Sequence, residues 1–149
     1  MKNERNFRNY LAGAARAIGV VLLVSQVIQI IYGGHDPTDQ SVYNLLMNVY
    51  LASHVGGGFL GGYLVARVRQ ADYIQTGTIT AVLAYIFEFV YYLIFYAVPT
   101  DIYAIVSLLI GSIIGAMFLR AKLERDRIAG LRNTKETKST PESPEKTQI

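Results

Sequence analysis

Residues 43–66 read YNLLMNVYLASHVGGGFLGGYLVA. The stretch has no Lys, Arg, Asp or Glu, and it closes on Arg67. A bilayer core about 30 Å thick is crossed by a helix of roughly 20 mostly apolar residues, so this segment has the make-up of a membrane span. Its neighbours repeat the pattern. No Lys or Arg falls between Arg16 and Arg67, or between Arg69 and Arg120, and those two gaps hold only Asp36, Asp39, Asp72, Glu88 and Asp101 as acids. At 52% hydrophobic and mean hydropathy +0.28 the composition is near an ordinary soluble average. The segregation of charge, not the average, decides the class. A water-soluble enzyme or a nucleic-acid binder needs charge over its whole surface, and without Cys there is no disulfide-stapled module and no thiolate site.

Four spans are expected, over 11–32, 43–66, 75–98 and 102–119. Long continuous apolar runs predict helices, because barrel strands show short alternating segments and lipid offers backbone groups no water. Gly33 to Asp39 and Val98 to Asp101 are short, turn-rich links, so the fold class is all-α: a four-helix membrane bundle made of two antiparallel hairpins.

All fourteen basic residues lie in three places: before or early in the first span, at Arg67 and Arg69, and after the fourth span. The other two loops carry only Asp36, Asp39 and Asp101 as charges. Basic residues stay on the cytoplasmic side, which predicts a multi-pass cell-membrane protein with both termini cytoplasmic. The first span is too long for a signal core and lacks a small-residue cleavage site after it. Residues 1–10 form a cytoplasmic N-terminus, and 120–131 continue the fourth helix, supported by Arg120/Glu124 and Lys122/Asp126 and stopped near Gly130. Residues 132–149, rich in Lys, Glu, Thr, Ser and Pro, are expected to be disordered.

Gly58 and Gly62 precede Arg67 at the same spacing by which Gly111 and Gly115 precede Arg120, which points to a two-fold repeat of hairpins. Small residues four apart let helices approach closely in lipid. Gly57, Gly58, Gly61, Gly62, Gly111 and Gly115 are therefore the packing residues, within the chain or against another copy or a partner in a larger membrane complex.

Each span also carries one polar residue that counting from the basic boundary puts near one depth: Gln29, His54, Glu88 and Ser107. They are the candidates for ion or proton handling. A lone carboxylate in hydrocarbon is costly, so Glu88 is expected to meet His54, as carboxylate with imidazolium or as acid with neutral imidazole. The same contact serves equally well as structural glue. No metal motif and no cofactor site is expected: His35, Asp36 and Asp39 lack the spacing of a metal set, and His35 and His54 lie at different depths, which defeats a bis-His haem. The partners expected are the lipid bilayer and a homo-oligomer or membrane complex, not nucleic acid, and a stand-alone enzyme is not expected.

The run His54-Val55-Gly56-Gly57-Gly58-Phe59-Leu60-Gly61-Gly62-Tyr63, followed by Ala66-Arg67 and by Thr76-Gly77, resembles small glycine-rich four-span prokaryotic membrane proteins of unknown function. The resemblance covers the second and third spans and implies the architecture without an activity. The size is similar to that of small multidrug transporters, but those carry their membrane-embedded Glu in the first helix and this chain carries it in the third.

Overall fold

The computed structural model describes residues 2–32, 39–97 and 100–138. They form four helices: α1 (Lys2–Tyr32), α2 (Gln40–Arg69), α3 (Tyr73–Tyr96) and α4 (Ile102–Lys138). Each is long and apolar enough to cross a membrane, the pattern of a polytopic membrane protein. Asp39 caps α2 by accepting from the Ser41 amide at 2.8 Å. The α2–α3 link is so tight that Gln70 and Asp72 both take positive φ, at 47° and 40°.

Two helices run further than the span arithmetic puts them. α1 begins at Lys2, well before residue 11, and α4 continues through Gly130 to Lys138. Gly130 does not stop the helix, and the first proline beyond it is Pro141. The Arg120–Glu124 pair forms at 3.0 Å with both side chains exposed, so it adds little. Residues 132–138 of the tail expected to be disordered belong to α4, while His35, Asp36 and residues 139–149 lie outside the described residues.

The bundle is inverted relative to a soluble protein. Its interior is mostly small, with Gly57, Gly58, Gly61, Gly62, Ala14, Ala17, Ala81, Ala84, Thr76, Thr80 and Ser112, and the larger Val21, Val65, Leu108, His54 and Glu88 among them. Its surface carries Leu23, Ile30, Ile94, Phe95 and Ile114. In water this surface would be one large sticky patch; in lipid it is the natural exterior, and small interior residues supply the close contacts that hold the helices together.

Around the bundle the order is α1, α2, α4, α3, closing back on α1; α2 and α3 also touch across the middle, while α1 and α4 do not touch among the described residues. The tightest interface is the parallel pair α2/α4. There Gly58 faces Leu108 and Ser112, and Gly62 faces Ser112. Reciprocally, Gly111 faces Val55 and Gly115 faces Phe59. Exchanging α2 for α4, so that Gly58 becomes Gly111 and Gly62 becomes Gly115, takes Val55 to Leu108 and Phe59 to Ser112. Each contact therefore has its mate, so the spacing shared by the two spans makes a local two-fold relation between α2 and α4; the outer helices do not follow it, since α2 touches α3 whereas α1 does not touch α4 among the described residues.

The antiparallel α1/α2 interface uses the other glycine face: Gly57 meets Ala17 and Val20, and Gly61 meets Gly13 and Ala17. At the basic end Arg69 donates to the Tyr10 hydroxyl and its guanidinium lies 5.0 Å from the Tyr10 ring centre. All six glycines expected to pack helices are thus used inside the chain. Gly19 and Gly56 have nothing within 4 Å of a would-be β-carbon and face outward.

Candidate functional site

Glu88 of α3 and His54 of α2 meet where these two helices cross the middle of the bundle. His54 Nε2 stands 2.8 Å from Glu88 Oε1, and both side chains are 0% exposed. His54 can occupy this place because Gly57 and Gly58, one turn away, let α1 and α4 close over it. Glu88 stands above Ala84 and Ala81, whose methyl groups leave the space for it. Tyr50, one turn before His54, adds two contacts. Its hydroxyl donates to Glu88 Oε1 at 2.9 Å, and its carbonyl lies 2.8 Å from His54 Nδ1. Its ring packs edge-on against the imidazole, with centroids 4.3 Å apart.

These contacts place two of the hydrogens. A carbonyl oxygen only accepts, so His54 Nδ1 carries a hydrogen and donates it to Tyr50. At 2.8 Å, Nε2 and Oε1 cannot meet lone pair to lone pair, so a proton lies between them. Whether it sits on the nitrogen or the oxygen, the pair is neutral overall when Glu88 Oε2 carries no hydrogen. Neutrality is what hydrocarbon surroundings demand. Oε1 is then saturated by two donors, while Glu88 Oε2 is buried and has no hydrogen-bond partner among the described residues.

Gln29 does not join the pair. It is exposed, and its amide donates to the Tyr96 hydroxyl at 3.4 Å, two turns along α3 from Glu88. The expected depth took Arg16 as the membrane boundary. The α1/α2 contacts set a different register: with Gly57 against Ala17 and Val20, His54 comes level with Val21, which is fully buried. Arg16 lies inside the level of Arg67, exposed on the flank of α1, where a long side chain can reach back to the polar boundary. Ser107 is half-buried and is not a partner of Glu88 or His54. The deeply buried serine of α4 is Ser112, held against Gly58, Gly62 and Gly77, with its Oγ unpartnered among the described residues.

Tyr50 is the residue of this site that the depth count leaves out. Its position four residues before His54 puts both on one helix face, which was the available signal. Further toward the acidic end, the end bearing Asp39 and Asp101, the α3 tyrosines face the polar side of α1. Tyr92 lies beside Tyr50, Glu88 and Ser25, and Tyr91 lies beside Gln26. Tyr91, Tyr92 and Tyr96 form a ring cluster with centroids 5.4–6.1 Å apart.

Among the described residues no group of three or more His, Cys, Asp and Glu could hold a metal ion. An open groove of about 420 Å³ between α1 and α2, lined by Leu23, Val27, Ile28, Leu45 and Val49 among others, has almost no polar lining to orient a ligand. No family model matches the chain, and no curated protein or solved structure shows significant similarity to it.

Proposed function

We propose that this chain is a small, non-enzymatic multi-pass protein of the cell membrane, with both termini cytoplasmic, in which Glu88 and His54 bind and release a proton or a small cation. The observation that carries this reading is the buried acid–imidazole pair with one carboxylate oxygen left unpartnered. A carboxylate serving only to join helices gains most when both oxygens are satisfied, and an ionisable group inside a membrane bundle is a candidate for ion handling. The test uses the purified full chain in proteoliposomes carrying a trapped pH indicator. An imposed pH gradient should relax faster than in empty vesicles, and Glu88→Gln, which keeps the shape, should remove the difference. Equal rates for the parent protein and empty vesicles would contradict the reading.

A second reading, a packing subunit of a homo-oligomer or larger membrane complex, is supported by Gly19 and Gly56. They open onto the surface at about the same level of α1 and α2. With the six inward glycines occupied within the chain, assembly would use this outward face. Purification in mild detergent should then yield a stoichiometric oligomer or partner.

A further inference from the structure

The surroundings of Glu88 differ sharply between the two ends of the bundle. Toward the acidic end, polar side chains follow one another. Tyr50 donates to Oε1 at 2.9 Å, and Tyr92 lies beside Tyr50, Glu88 and Ser25. Tyr91 lies beside Gln26, and Gln29 bonds Tyr96, which is 43% exposed. This column of polar groups lines the α1/α3 seam between the buried pair and the surface, with Ser25 Oγ and Glu88 Oε2 left without a hydrogen-bond partner among the described residues. Hydroxyl and amide groups both donate and accept, as passing a proton requires.

Toward the basic end there is no such column: the buried Ser112 hydroxyl is set among Gly58, Gly62 and Gly77, with no hydrogen-bond partner among the described residues to continue it. Below Glu88 on α3 come Ala84 and Ala81, and the next buried hydroxyl is Thr80, two turns or about 12 Å away along the helix. Thr80 and Thr76 spend their hydroxyls on main-chain carbonyls, of Thr76 and Ala71 respectively. On α2 the glycines seal the way: Gly58 and Gly61 leave no room for a β-carbon between themselves and the backbones of α4 and α1. Leu108, Ala14, Ala17, Ala81 and Ala84 fill the centre as one apolar cluster.

We infer that the Glu88–His54 site takes up a proton, not a metal cation, and exchanges it in this conformation only with the acidic end, through Tyr92 and the α1/α3 polar column. This rests on the reading of the pair as an ion-handling site. The ligand class follows from donor count: one free carboxylate oxygen suits a proton, whereas a hard cation takes six or more oxygens. A hydronium at the mouth of the column gives up one proton and becomes water. A new O–H bond forms on Glu88 Oε2, and the proton already shared in the pair stays on His54 Nε2. The product is a neutral carboxylic acid beside an imidazolium, with one added positive charge, and release is the reverse. The titratable groups facing Glu88 are His54 and Tyr50 from α2 and Tyr92 from α3. At this level α1 presents Val21 and Ser25, and α4 presents Leu108; none of these is ionisable.

The test uses the full chain in sealed vesicles. Protease access to the C-terminal tail gives the fraction of molecules whose acidic end faces outward. The outside pH is dropped rapidly, and the infrared band of protonated Glu88, identified by its loss in Glu88→Gln, is followed before and after an ionophore equalises the pH. The fast amplitude should equal the acidic-end-out fraction, with the remainder appearing only after ionophore. Tyr92→Phe, which keeps the ring, should slow the fast phase several-fold, while Thr80→Val should leave it unchanged. A fast amplitude matching the opposite fraction, or covering all molecules, overturns the one-sided route while leaving the proton site intact. A band that ignores pH even with ionophore overturns the proton site itself.

Discussion

His54 Nε2 and Glu88 Oε1 stand 2.8 Å apart on helices that cross at the centre of the bundle, and neither side chain reaches the surface. Breaking such a pair from one side strands a buried polar group, which costs about 3–5 kcal/mol. His54→Ala and Glu88→Ala should each lower stability by that order. The double variant should lose clearly less than the sum of the two. Unfolding in mixed micelles, run as a double-mutant cycle, measures the difference.

Tyr50 supports the pair through its hydroxyl. Tyr50→Phe removes that donor and keeps the ring against His54, so its cost should be about 1 kcal/mol. Tyr103→Phe, at a residue 62% exposed, should cost nothing measurable in the same assay.

The glycines divide into two classes by what a β-carbon would meet. At Gly62, Gly111 and Gly115 it would collide with the backbone of Ser112, Val55 and Phe59 respectively. Alanine at any of these should force α2 and α4 apart and lower the melting temperature. Gly19→Ala and Gly56→Ala meet nothing within 4 Å and should be neutral or stabilising by up to about 1 kcal/mol through helix propensity. Thermal unfolding of the five variants separates the classes.

The chain has no Cys, so single cysteines report sidedness without background. In sealed vesicles, cysteine at Asp39 and at Asp101 should react with an impermeant thiol reagent from one side, and cysteine at Arg127 from the other. Reaction of all three from one side would remove the four-span topology.

Span number and helix character were legible because lysine and arginine are absent from the two long gaps. The meeting of Glu88 and His54 was legible because the two lie at like distances from the same boundary on antiparallel neighbours. Gln29 lies away from the pair because α1 starts as early as Lys2 and glycine contacts, not the position of Arg16, set its register against α2. Ser107 is singled out by depth, thirteen residues before Arg120, with Gly111 on its face. α4, however, is wedged between α2 and α3, and its inward line passes through Leu108, Ser112 and Ala116. Tyr50 is absent from the sequence reading, although its spacing to His54 places it beside the pair.

The account depends on one proton lying between His54 and Glu88. His35 and His54 are the two histidines of the chain, so His35→Gln leaves a single imidazole for nitrogen-15 labelling. Solid-state NMR of that protein in lipid should show Nδ1 protonated and a strongly deshielded proton bridging Nε2 to a carboxyl oxygen. A neutral imidazole with its hydrogen on Nε2 and a bare Nδ1 would contradict the account.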